Sequence, residues 1–241
     1  MHIKVQPIER LALRFAPRRW DFAENERGAI AQHFEHLQRD CPSLWNGPVL
    51  VLHEHRVENG TLSGAYLQTD FASFIAWRDW GFPDRSVFNC FSLGALQGAD
   101  DAFLLGVMAG STANAGRIYF PGGTPDPSDI FGDRVDLDSS VRREVKEETG
   151  LDAEALSLSP GWHMIRAGRR IALLKRMRSR QPAETLRERV RGYLASQHVP
   201  ELADMYIARG PADLHPGMPE FITAFLTQEW RRADSENGSR A

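Results

Sequence analysis

The chain of 241 residues has only two cysteines, Cys41 and Cys90. They show no metal-ligand spacing and cannot build a disulfide framework, which excludes a stapled secreted domain and suits a reducing compartment. No apolar run approaches the roughly 18 residues that a membrane span requires. The opening stretch "MHIKVQPIERLALRFAPRRW" is broken by Glu9, Arg10 and Arg14, so no signal peptide is expected. An excess of one charge is missing too. The net charge is −3, from 29 Lys and Arg against 32 Asp and Glu, so nothing global points to a nucleic-acid polymer. Internal repeats and low-complexity tracts are also absent. What remains, 42% hydrophobic and 25% charged residues, is ordinary globular composition. A soluble, cytoplasmic protein with no membrane partner is expected.

Two parts are expected, residues 1–88 and 89–232, followed by a polar, frayed tail over 233–241. In the first part, Ile30, Phe34, Leu37 and Cys41 recur at helical spacing, and Asn46-Gly47-Pro48 marks a turn. "VLVLHEHRV" reads as a strand and "TDFASFIAWRDWG" as a helix capped by Thr69 or Asp70. In the second part, "FSLGALQ", "AFLLGVMAG" and "RIYF" read as strands. "DSSVRREVKEETG" reads as a helix capped by Asp138 or Ser139 and stopped by Gly150. A hairpin turning near Gly168, a helix from Pro182, the strand "DMYIA" and the closing helix "MPEFITAFLTQEW" complete it. Irregular alternation of strands and helices implies an α+β fold, a mixed sheet with helices packed on it.

The densest chemistry lies in "REVKEETGL", Arg143 to Leu151. Glu144, Glu147 and Glu148 stand at i, i+3 and i+4, so a helix projects all three to one side. Like charges so placed cost a few tenths of a kcal/mol per pair, a cost that a cation removes. Hard oxygen donors favour Mg²⁺ or Mn²⁺ over zinc. Arg143 is placed to pair with a carboxylate and hold its rotamer. "EVKEE" alone would equally suit a solvated helix face. The Pro121-Gly122-Gly123 turn ahead of it and the Gly150 stop behind it make the combination more specific.

"PGG…REVKEETGL" resembles the Nudix box: Gly, five residues, Glu, seven residues, then Arg-Glu-apolar-x-Glu-Glu-x-Gly-apolar. Arg143 through Leu151 match every fixed position. The first half departs. Gly123 and Arg143 stand twenty apart where the pattern has fourteen, so about six residues are inserted within "TPDPSDIFGDRVDLD". The box's first glutamate would fall at Val135; Asp136 is the nearest acid and Asp138 the next, and the partner of Arg143 stays open. The resemblance covers about residues 89–232, and residues 1–88 have no counterpart in the minimal fold.

The resemblance implies an α/β/α sandwich with a mixed sheet, here with an N-terminal α/β extension packed on it. It also implies metal-dependent hydrolysis of a nucleoside diphosphate linked to another moiety, with Mg²⁺ or Mn²⁺ as cofactor. Glu147 and Glu148 would be the main ligands, and Glu144 a ligand or the base. Family members often add a glutamate from beyond the box. Glu184, Glu188, Glu201 and Glu220 are the candidates, and Glu201 is preferred because it lies just ahead of the last strand. Glu144, Glu201 and Arg143 are thus the expected catalytic residues. Gly122 and Gly123, with Arg166 and Arg170 from the basic run "RAGRRIALLKRMRSR", are the expected substrate contacts. Tryptophans such as Trp45 and Trp162 suit base stacking or a core equally.

"GRIYFPGG" with Asp126 and Asp129 is similar to part of a motif of Nudix coenzyme A diphosphatases. The upstream Leu-Leu-Thr-x-Arg is not met, since Gly106 follows Leu104-Leu105 and Met108 stands for the arginine. The extension is similar to that of animal Nudix UDP-glucose pyrophosphatases, which favours a nucleotide sugar as the small-molecule partner. It otherwise serves packing or formation of a homodimer. A non-catalytic, ligand-binding Nudix-fold module is the competing class; such proteins usually lack a box glutamate, and here all three stand.

Overall fold

A computed structural model describes residues 3–238. Residues 1–2 and 239–241, the latter part of the expected tail, lie outside it. The chain opens with β1 (Val5–Ile8) and β2 (Arg10–Phe15), then α1 (Asp21–Asn25) and α2 (Arg27–Asp40). A long hairpin follows, β3 (Pro48–Glu58) and β4 (Thr61–Asp70), and leads into α3 (Phe71–Asp79). Next come β5 (Asn89–Gln97), β6 (Phe103–Met108) and four two-residue strands: β7 (Ile118–Tyr119), β8 (Gly122–Gly123), β9 (Ile130–Phe131) and β10 (Arg134–Val135). The acidic helix is α4 (Leu137–Thr149). Then follow β11 (Ser157–Leu158), β12 (Trp162–Ala167), β13 (Arg170–Arg178), α5 (Ala183–Ser196), β14 (Leu202–Ala208) and α6 (Glu220–Gly238). Helix α6 continues through 233–238, into the stretch expected to fray.

Two mixed sheets result. The larger runs β1-β12-β13-β5-β6-β14, with β13 and β5 parallel and its other pairs antiparallel. The smaller runs β3-β4-β2-β10-β9. β5 is buried at every residue, as a central strand covered on both faces must be. One face of the large sheet shares a core with α4, α5 and the small sheet, from Leu52 and Tyr66 to Val141, Leu173 and Leu186. The other face packs on α6 through Phe103, Phe120 and Phe225. α3 lies on the far side of the small sheet, with Trp77 fully buried beside Val51 and Leu67.

The line expected near residue 88 is crossed by both sheets. β1 pairs with β12, placing Val5 opposite Ile165. The residues inserted in the acidic motif form the β9–β10 hairpin, which joins the small sheet where Arg134 faces Arg14. Insertion and extension are therefore one structural unit. A chain lacking residues 1–88 leaves β12 and β10 with bare edges and strips one wall from the shared core. It should lose near-UV circular dichroism and its cooperative thermal transition. A sharp transition retained in that fragment would show the extension to be an independent add-on.

Candidate active site

Helix α4 explains its own chemistry. Leu137, Val141 and Val145 recur at i, i+4 and i+8 and are buried, which fixes the inward stripe. At roughly 100° per residue, Glu148 falls in the middle of that stripe, Glu144 on its flank and Glu147 well outside it. The burial agrees: Glu148 is 7% exposed, while the side chain of Glu147 is 60% exposed. The three carboxylates do not share one side as equals, because four-residue spacing keeps Glu144 and Glu148 together and leaves Glu147 turned away. The cap also differs from expectation. Asp136 caps the helix by accepting from Ser139 N at 3.2 Å, and Asp138 instead pairs with Lys175 at 2.9 Å. Gly150 ends the helix at φ +67, as expected of a left-handed stop.

The glycine turn sits against this helix. Gly122 N donates to Glu148 Oε1 at 2.9 Å. At its φ of +141 a β-carbon would stand 2.2 Å from Ser92 O, so no larger residue brings this amide to the carboxylate. Gly123 follows beside Glu144, whose Oε2 lies 3.6 Å from where a β-carbon would be.

Arg143 finds its partner in Asp129, at 3.0 Å. Neither Asp136 nor Asp138 takes that place. Asp129 is 2% exposed, accepts from Ser140 Oγ at 3.0 Å and from Asp126 N at 3.1 Å, and ends a turn of 3₁₀ helix opened by Pro127. The inserted loop carries the acid seven residues nearer the chain start than Asp136, which is why residue counting missed it; its turn chemistry, Asp126-Pro127, was the available signal. Arg143 also contacts Glu144 at 2.7 Å and Glu147 at 3.3 Å. Burial works against its charge, but the Asp129 hydrogen bond, then Glu144, outweigh burial and raise its pKa.

Glu144, Glu148 and Glu201 line one open cleft of about 1170 Å³, large enough for a nucleotide-sized ligand. Glu147 is not among its lining residues. Burial first, opposed by Arg143 and reinforced by Glu147 and Glu201, pushes Glu144 up to about 7. Burial, against the Gly122 hydrogen bond, raises Glu148 well above the ordinary carboxylate value, and Glu144 and Glu201 add to the rise. The cleft walls, and then Glu147, raise Glu201. Its backbone is held where Ala109 N donates to Glu201 O at 2.8 Å. Of the other acids considered, Glu184 and Glu188 pair with Arg187 and Arg191 on α5, and Glu220 lines the cleft at the start of α6.

Arg170, Arg117 and Arg78 line the same cleft, with Trp45, Phe71 and Phe74 from the extension. Arg166 does not line it. Successive strand residues face opposite sides, and Arg166 stacks over Phe88 at 5.1 Å. Further along the basic run, Arg176 pairs with Glu229 and Arg178 with Asp101, leaving the cleft to Arg170. Trp162 is buried under Lys175 rather than open to a base.

Among the described residues, no three acidic, imidazole or thiol side chains converge closely enough to cage an ion. The donors nevertheless fit Mg²⁺ or Mn²⁺. Glu148 Oε2 is buried without a hydrogen-bond partner, a costly state that a cation removes. Mg²⁺ is typically held by one or two carboxylates, with waters and substrate phosphates completing its shell.

No protein-family model and no curated protein matches the sequence. Solved structures show loose likeness. A Nudix hydrolase from M. smegmatis, RenU, is 20% identical over 61% of this chain and 84% of its own, with a TM-score of 0.36. A MutT protein from Methanosarcina mazei Go1 is 18% identical over 62% and 95%, with a TM-score of 0.40. The E. coli ORF135 protein is 15% identical over 61% and 94%, with a TM-score of 0.36. At these scores the side-chain geometry alone carries the functional reading.

A carboxyl whose pKa is raised on folding stabilises the fold while protonated, and that contribution is lost as pH rises through the folded value. For Glu144 the window runs from the ordinary glutamate value of 4.5 to about 7. In chelator, Glu144→Gln should gain on the parent chain by a few kcal/mol between pH 5 and pH 8, from about 1.4 kcal/mol per pKa unit. Denaturant unfolding at several pH values measures this, and a difference independent of pH would contradict the assigned burial and crowding.

Proposed function

We propose that the protein is a Nudix-type hydrolase that cleaves the diphosphate link of a nucleoside diphosphate joined to another group. The observation that supports this most is the convergence of Glu144, Glu148 and Glu201 on one nucleotide-sized cleft, with Glu148 Oε2 buried and unpaired. Glu148, locked by the Gly122 amide, and Glu144, steadied by Arg143, would hold the cation. When bound, a divalent cation neutralises diphosphate charge and makes water easier to deprotonate.

The protein's own groups supply the rest. Arg143 fixes the rotamer of Glu144 and is itself fixed by Asp129, so it is a positioning residue. Glu201 faces α4 from the loop ahead of β14. Its raised pKa brings it closer to the proton affinity of a useful general base near neutral pH. In the reaction, water oxygen bonds to one phosphorus, the bridging P–O bond breaks, and the water proton passes to Glu201. Two phosphate monoesters leave. The aromatic and cationic wall from the extension suits a nucleotide sugar or another nucleotide conjugate.

Glu148→Gln should lower kcat by more than about 100-fold, beyond the usual cost of losing a supporting partner, with the fold intact. Glu201→Gln should lower kcat and flatten the rising limb of the pH–rate profile. Glu147→Gln, being exposed, should lose much less than Glu148→Gln. Coupled phosphate release from a panel of nucleotide sugars, ADP-ribose, NADH and coenzyme A, with Mg²⁺ and Mn²⁺, measures all three. Activity like the parent in Glu148→Gln would overturn the site.

A further inference from the structure

The cleft is polarised. Besides its carboxylates it is lined by three arginines from three separate elements: Arg78 in the last turn of α3, Arg117 just ahead of β7, and Arg170 at the start of β13. A hydrogen-bond chain links Arg78 to Tyr119, and all three of its members line the cleft. Arg78 Nη1 donates to Asn114 Oδ1 at 3.3 Å, and Asn114 Nδ2 donates to Tyr119 Oη at 3.1 Å. Tyr119 lines the same cleft as Glu148 and Glu201.

The arginine pole is built at a cost. The guanidinium of Arg170 lies 4.8 Å from the ring of Phe82. Phe82 has φ +63, a left-handed conformation that bulky residues rarely take, and its amide donates to Trp77 O at 2.9 Å. Strain of this kind gathers at ligand clamps. Arg170 is half-buried and is depressed by burial, then by Arg78 and Arg117, with Glu220 opposing. Asp79 contacts Arg78 at 3.0 Å, while among the described residues no carboxylate lies within 4 Å of the guanidinium of Arg117 or Arg170. Planar guanidiniums from several directions match the oxygens of a phosphate monoester better than a single carboxylate.

We propose that Arg78, Arg117 and Arg170 bind a phosphate monoester carried by the substrate beyond the diphosphate that is cut. This rests on the hydrolase reading, because the carboxylate pole is taken as the place of cleavage. The preferred substrates are therefore nucleotide conjugates with an additional phosphate, rather than plain nucleotide sugars.

Two matched pairs test this, NADPH against NADH and coenzyme A against its dephospho form, each assayed with Mg²⁺ and with Mn²⁺. At least one phosphorylated member should have a kcat/KM at least tenfold above its partner's. Arg170→Gln, and Arg117→Gln at an exposed site, should shrink that ratio mainly through KM. Equal kcat/KM within both pairs, or equal losses on both members in the variants, overturns the proposal. If the parent chain hydrolyses none of the four, binding decides the arginine site apart from the hydrolase reading, which the wider nucleotide panel tests. Calorimetry of adenosine 3′,5′-bisphosphate against AMP should then show at least tenfold tighter binding of the bisphosphate, abolished in Arg117→Gln. Equal affinities overturn it.

Discussion

Carboxylates crowded into a half-desolvated cleft repel, and the rest of the structure answers that repulsion. Glu144, Glu148 and Glu201 meet in such a place, and their proton affinities rise in response. A solvated helix face would relax by turning its acids outward. This one cannot, because the inward stripe of Leu137, Val141 and Val145 carries Glu148 in with it. The site is held ready for a positive charge that the protein itself only partly supplies, through Arg143 and the Gly122 amide.

Supporting that site falls to two stretches that look peripheral in sequence. The residues inserted in the acidic motif build a hairpin on the small sheet and, just before it, the turn that buries Asp129 against Arg143. The N-terminal residues build the small sheet itself and the helix that brings Arg78 and Phe74 to the cleft. The extension supplies part of the cleft wall, and the insertion holds Arg143 through Asp129. A minimal core would keep the acids and lose the arginine of α3.

Much of this was legible in the residues. Helical spacing located α2, α4 and α5, alternation and β-branching located β3, β5, β6, β13 and β14, and glycine marked the stop of α4. The strands β1, β2 and β4 were not foreseen. β1 is short and follows the partner chemistry of β12 more than its own, and "TLSGAYLQ" is diluted by glycine and polar residues that become a strand only when β3 pairs with it. The partner of Arg143 was invisible for another reason: a loop folds back, so the nearest acid in sequence is not the nearest in space. The difference between Glu147 and Glu148 was readable in principle, since the apolar stripe that orders them lies in the same helix. The basic run divides between two faces, so Arg170 reaches the cleft while Arg166 stacks on Phe88.

A cation entering the cleft should displace protons from the crowded acids. Calorimetric titration of the metal-free protein with Mn²⁺ at pH 6.5, in two buffers of different ionisation enthalpy, counts the protons released. Binding should be accompanied by proton release, with the released fraction reduced in Glu144→Gln and the affinity sharply weakened in Glu148→Gln. Binding with no proton release, or with the same affinity when Glu148 is neutralised, would contradict it.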